Sequence, residues 1–369
     1  MIKEHGFTPI IRHILVDEFG HVAEEILQTS EILQYLNVKT ISATRGSKAR
    51  GAFGNIYAIY VLIEDYVQRD FHINGNYENA AGAKFSHLFK RQRELPFGSK
   101  LQNHALNHRL NQEFRKYFPL SKVQPILRNT ETHEYWINEH LLRVNIAGQV
   151  YNIAQAILKI INAYVDTKQQ AFTSFINTCQ QMQHISEESP DTVLAFIGSL
   201  LRPTTDARIF EIASYAILKT YYRELSIFWG WQADDLEETK LMLYKTGRTN
   251  ANDGGIDFVM KPLGRFFQVT ETLDVRKYFL DIDKVQKYPI TFVVKTEMSV
   301  PAIKQKIREQ AQEQYPVRAI VERYMACIEE VINIHILTTY LQRIVEMGHL
   351  NLVIQEIVKH SQVEFDLQG

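Results

Sequence analysis

Asp257, Gln268 and Thr270 are the residues whose types and spacing could do chemistry. They lie in the stretch Lys245–Glu271. Ile256–Met260 predicts a strand, Lys261-Pro262-Leu263-Gly264 a four-residue turn with the Pro and Gly of a type I turn, and Arg265–Thr270 the returning strand. Symmetry about that turn sets Met260 opposite Arg265, and hence Asp257 opposite Gln268. Side chains alternate along a strand, so Gln268 and Thr270 share the side of Asp257. Phe258, Phe267 and Val269 take the other face, as a core requires. A carboxylate and an amide carbonyl on one face are oxygen ligands of the kind a hard cation takes. The plainer reading is an ordinary hairpin with a surface Asp and a buried Gln. Three features weigh against it: Gln268 lies between apolar neighbours, Asp257 faces it, and a tight Gly254-Gly255 precedes them.

The elements that must position this hairpin are mostly helical. Apolar spacing predicts helices over 10–37, 54–70 and 137–183. The polar His184–Asp191 reads as a connector. Leu201-Arg-Pro-Thr-Thr-Asp206 then stops one helix and caps the next, with Asp206 as N-cap of a helix from Ala207 to Tyr222. Leu236–Leu243 reads as helical or mixed, a β-rich island runs from Gly255 to Glu297, and amphipathic patterns return after Val300. The expectation is an α/β, mostly helical chain of two domains: 1–190, helical and locally basic, and 191–369, carrying the hairpin. With 369 residues, 45% hydrophobic and 22% charged, the composition is that of ordinary globular protein. Cys179 and Cys327 cannot build a disulfide framework and fit a reducing cytosol. No targeting or membrane segment is read, so the expectation is a cytoplasmic protein without a membrane partner.

Charge is unevenly spread. From Lys39 to Arg128 there are 15 basic residues against 6 acidic, while the whole chain carries −1. A local excess of that kind suits a phosphate backbone. The candidate phosphate contacts are Arg45, Lys48, Arg50, Lys90, Arg91 and Arg93. The run Leu101–Gln112 has Leu101, Ala105, Leu106 and Leu110 at helical spacing and is poor in acids. Its Asn103, Asn107 and Arg109 are candidate base readers, because Asn pairs with adenine and Arg with guanine through two hydrogen bonds each. The bland alternatives are a solvated basic face and an inert surface helix. Gly46–Gly54 starts with P-loop spacing, but Ala52 and Phe53 stand where the Lys and hydroxyl belong. His104 and His108 have zinc-protease spacing without the intervening Glu.

The segment Asp253-Gly254-Gly255-Ile256-Asp257, ten residues, then Gln268-Val269-Thr270 resembles the active-site hairpin of the PD-(D/E)XK nucleases. Within them it resembles the branch with Gly-Gly-x-Asp followed by Gln-x-Lys, as in Mrr-like restriction enzymes. The resemblance implies an acidic helix before the hairpin. Arg208-Ile209-Phe210-Glu211-Ile212 supplies one, with Glu211 as the helix acid. It further implies a restriction-endonuclease-like fold, a mixed sheet flanked by helices, and a Mg2+-dependent, sequence-specific endonuclease of the Type II kind, acting on double-stranded DNA, normally as a homodimer. Asp257, Glu211 and Gln268 are the implied metal ligands. Thr270 stands where the resemblance requires lysine. Lys295, at the end of Thr291–Lys295, is the expected replacement if that strand neighbours the hairpin. The rivals are a DNA-binding protein with a degenerate nuclease site, and a helical interaction protein with no nucleic-acid role.

Overall fold

The computed structural model describes residues 2–41, 43, 49–99, 101–246 and 256–365, with the side chains at 49–52, 78 and 365 excepted. The chain is α/β and mostly helical. It divides into two compact units, Met1–Thr173 and Ser174–Gly369. The boundary expected at 190 falls inside the second.

In the first unit, three helices stand where one periodic run was expected over 10–37: α1 (Thr8–Phe19), α2 (Ala23–Thr29) and α3 (Glu31–Thr40). Gly20 ends α1 with φ 59°, and Ser30 caps α3 by accepting the Leu33 N–H. Then follow α4 (Ala49–Gln68), α5 (Phe71–Asn74), β1 (Ala83–Lys84) and α6 (Phe85–Glu94). A π-helical turn, Ala105–Arg109, runs into α7 (Leu110–Tyr117). β2 (Ile126–Asn129) and β3 (Glu134–Ile137) complete an antiparallel sheet of order β1-β3-β2. The helix expected over 137–183 opens instead as a hairpin, β4 (Arg143–Ile146) and β5 (Gln149–Asn152), before α8 (Ala154–His184). The positive φ of Ala147 (50°) and Gly148 (88°) makes the tight turn. Val144 and Ile146 are buried between exposed Arg143 and Asn145, which is the period of a strand.

In the second unit, α9 (Pro190–Ser199) follows the polar connector, and Asp206 caps α10 (Ala207–Arg223) by accepting N–H bonds from Arg208 and Ile209. Residues 236–243 are strand rather than helix: β6 (Ser226–Trp229) pairs with β7 (Glu237–Lys240), and β8 (Met242–Lys245) leads into the main sheet. β9 (Phe258–Lys261) and β10 (Arg265–Thr270) form the expected hairpin, with Met260 opposite Arg265. Its Lys261–Pro262 peptide is cis and Gly264 has φ 66°, unlike the type I turn expected. α11 (Val275–Lys284) then carries the chain over to β11 (Ile290–Val294), parallel to β10. α12 (Val300–Gln314) and α13 (Arg318–Ala326) precede β12 (Ile328–Ile332), and α14 (Ile334–Glu346) and α15 (Leu350–Phe365) close the chain.

The sheet order is β12-β11-β10-β9-β8, parallel on one side of β10 and antiparallel on the other. Helices cover both faces. Phe258, Met260, Phe267 and Val293 enter a core with Ile212, Tyr215 and Ile354 from α10 and α15. Phe292 and Val294 enter another with Tyr278, Phe279, Ile303 and Ile307 from α11 and α12. β11 is buried at all five residues, which is why its sequence is a near-continuous apolar run without alternation. Asp206→Ala removes the α10 cap and should lower the unfolding free energy by about 1 kcal/mol, read from a denaturant midpoint.

Candidate active site

α10 is buried around most of its circumference, so the carboxylate of Glu211 is carried out of water with it. A charge in that position needs partners. Lys245, the last residue of β8, places Nζ 2.8 Å from Glu211 Oε1. Arg208, one turn earlier on α10, ion-pairs with Oε2. Arg208 also reaches Glu364 of α15, Nε to Oε1 3.1 Å. Both cations and both acids lie at the end of α10 where the β8–β9 pair terminates.

Asp257 stands just before β9 and is tied to both neighbouring strands by backbone bonds. Its N–H donates to Phe267 O (3.1 Å) and its carbonyl accepts from Thr246 N–H (3.0 Å). The hairpin ladder stops at Phe258 opposite Phe267, one residue short of the expected facing of Asp257 and Gln268. The reason is the Asp257 side chain: its Oδ2 accepts the Val269 N–H at 2.7 Å. The Val269 peptide therefore presents its N–H to Asp257. Burial and the negative charge of Glu211 push the Asp257 carboxyl up to about 7, against the Val269 N–H, Arg208 and Lys245, which pull it down. Gln268 Oε1 is buried with no hydrogen-bond partner among the described residues. Thr270 Oγ1 is engaged locally, donating to Thr272 O (3.1 Å) at the end of β10.

Lys295 lies beside the hairpin, since β11 pairs with β10 and its N–H donates to Thr270 O (2.9 Å). Its ammonium ion-pairs with Glu271 and donates to Thr205 O (2.6 Å). The cations whose charge acts on Asp257 are Arg208 and Lys245. Lys245, Arg208 and Glu364 were not singled out from the sequence. For Lys245 the signal was present: Met-Leu-Tyr-Lys alternates like a strand and immediately precedes the hairpin segment.

The basic candidates of the first unit separate by what they touch. Arg91 is spent on Glu64 through two bonds of 2.8 Å, and Asn107 Oδ1 accepts from Tyr135 Oη (3.2 Å). Lys90, Arg93, Asn103 and Arg109 are exposed. Lys90 approaches Glu94 at 4.0 Å, and Arg93 donates to Ser99 O (2.8 Å). Arg45, Lys48 and the Arg50 side chain lie outside the described residues, as do Asp253, Gly254 and Gly255. Asn111 uses both ends of its amide on Ile126 N–H and C=O, starting β2.

Among the described residues no three His, Cys, Asp or Glu form a group that could hold a metal ion. The donors that the structure brings together are the carboxylates of Asp257 and Glu211; the unpartnered Gln268 oxygen lies in the next strand, where Phe267 and Val269 on either side of it turn toward the α10 core. Two carboxylates fit magnesium, which takes one or two and fills its other positions with water and substrate phosphate. No protein-family model, no curated protein and no solved structure matches the chain.

The raised Asp257 pKa has a stability consequence. The folded state holds a proton that the unfolded state has released, so the native protein loses stability as pH rises from about 4 to about 7. Asp257→Asn removes that loss. Metal-free denaturation at pH 5 and pH 8 should show the variant gaining on wild type at the higher pH, by on the order of a few kcal/mol at most. An equal difference at both pH values would contradict the assigned environment.

Proposed function

We propose that the chain is a Mg2+-dependent, sequence-specific endonuclease acting on double-stranded DNA, of the Type II restriction kind. The observation that carries this reading is the meeting of Glu211 and Asp257 at the open end of the hairpin, with Lys245 against them and an unpartnered Gln268 oxygen in the neighbouring strand. A mixed sheet flanked by helices, with the helix that carries Glu211 preceding the hairpin, supports it.

Magnesium supplies charge to the phosphate oxygens and lowers the pKa of an attacking water. Asp257 and Gln268 would hold it. The Val269 N–H fixes one oxygen of Asp257, leaving Oδ1 for the site. Glu211 contributes the second carboxylate, and Lys245 and Arg208 keep the local charge from becoming too negative for a DNA phosphate to approach. Exposed Lys90 and Arg93 provide backbone contacts, and exposed Asn103 and Arg109 base contacts. One active site per chain requires two copies to cut both strands, so a homodimer is part of the reading. Its place is the cytoplasm, where the buried thiols of Cys179 and Cys327 stay reduced. No helix of the described residues is long and apolar enough to cross a membrane.

A second reading, a DNA-binding protein whose nuclease site has degenerated, is favoured by Thr270, whose hydroxyl is committed to Thr272. Plasmid incubated with Mg2+ separates the two. Under the first, wild type nicks or linearises it, and Asp257→Ala abolishes cutting while its affinity for duplex stays within about threefold. Under the second, wild type binds and does not cut.

The DNA surface has its own test. Lys90→Ala and Arg93→Ala should weaken binding to all duplexes alike and lower the salt slope by about one unit each. Arg91→Ala should leave the slope unchanged and cost stability through Glu64. A slope that ignores Lys90 and Arg93 moves the phosphate contacts elsewhere.

A further inference from the structure

A cavity of about 310 Å³ lies wholly within the first unit, between α7, the connector 118–124 and the adjoining ends of β2 and β3. That size is at the small end of the range for ligand pockets. Asn111 fixes one wall by holding both the N–H and the C=O of Ile126, so its own amide is spent. The Ser121 hydroxyl is likewise committed, donating to Glu31 (2.6 Å). Phe114, Phe118 and Leu127 give the cavity an apolar side, with the two rings 4.8 Å apart. Asn138, just after β3, closes it and is 5% exposed. Its Oδ1 accepts the His140 N–H, which leaves its amide nitrogen with no partner among the described residues. A buried donor without an acceptor is costly, and a ligand can supply one. Arg115 and Lys122 also line the cavity, are exposed, and form no ion pair among the described residues.

We propose that this cavity binds a phosphate monoester with a flat, acceptor-bearing body, the chemistry of a nucleoside monophosphate. Two cations match a phosphate monoester, which carries about −1.5 to −2 at pH 7, better than a carboxylate with its single charge. The Arg115 guanidinium can hold two phosphate oxygens in parallel, and Lys122 adds a point charge. A planar base packs against the Phe side of the cavity. Asn138 Nδ2 donates to a ring nitrogen or carbonyl of that base. Charge, apolar wall and buried amide thus each act on a different part of the ligand.

The test is calorimetric titration of the four ribonucleoside 5′-monophosphates, the matching nucleosides and inorganic phosphate into the full-length, DNA-free protein. At least one monophosphate should bind, roughly tenfold or more tightly than its nucleoside and than phosphate alone. Arg115→Ala and Lys122→Ala should each weaken it by roughly tenfold, toward the affinity of the nucleoside. Asn138→Asp keeps the oxygen that accepts the His140 N–H and removes the free donor, so it should weaken nucleoside and monophosphate alike. Lys116→Ala, which removes an exposed cation of α7 outside the cavity, should change nothing. The Arg115 and Lys122 side chains are exposed, so those two variants should fold and decide the matter where Asn138→Asp does not. If no monophosphate binds, the proposal is overturned. It is also overturned if inorganic phosphate binds as tightly as the best monophosphate, or if Lys116→Ala costs as much as Arg115→Ala, since both results describe a diffuse basic surface.

Discussion

Two carboxylates brought together out of water, Glu211 and Asp257, set the terms for everything around them. Each is expensive to bury charged, and each makes the other more so. The protein meets this in two ways. Glu211 is neutralised outright, by Lys245 from the sheet and Arg208 from its own helix. Asp257 receives a main-chain N–H from Val269, and its proton is held up to about 7. A structural ion pair would be cheaper to replace by apolar side chains. The concentration of charge at one end of α10 therefore brings no evident gain in stability.

The rest of the second unit follows from holding those groups still. α10 is fixed at its start by the Asp206 cap and along its length by α15, through Arg208 with Glu364 and Lys219 with Glu356. The sheet is stiffened by β11, buried on both faces and parallel to β10. Asp257 is locked between β8 and β10 by its own backbone bonds. The nuclease reading proposed for the chain would require side chains whose positions are set before substrate arrives, and rigid elements lie on both sides of the hairpin.

The hairpin was legible because its information is local. Alternation and a Pro/Gly turn fix the register of Met260 against Arg265, and the ladder has it. Asp206 and α10 were legible for the same reason. The charge network was not. Lys245 meets Glu211 only because β8 folds against β9 and α10, a tertiary fact that spacing along the chain cannot carry. Lys295, read as the nearest cation from its place in the next strand, does neighbour the hairpin, and its ammonium is taken by Glu271 and Thr205. The β4–β5 hairpin was missed because Val144–Leu158 carries no charge and runs straight into a true helix, and the positive φ at Ala147 is invisible in a residue that is usually helical. In the basic half, counting charges could not tell Arg91, spent on Glu64, from Lys90 and Arg93, which face solvent.

The most direct test is the titration of the Asp257 side-chain carboxyl, followed by carbon NMR with Asp257→Asn to assign the signal. Without metal it should titrate near 7, and with saturating Mg2+ its midpoint should fall well below that, because the cation displaces the proton. A midpoint in the ordinary aspartate range, unmoved by Mg2+, would contradict both the carboxylate pairing and the metal site built on it.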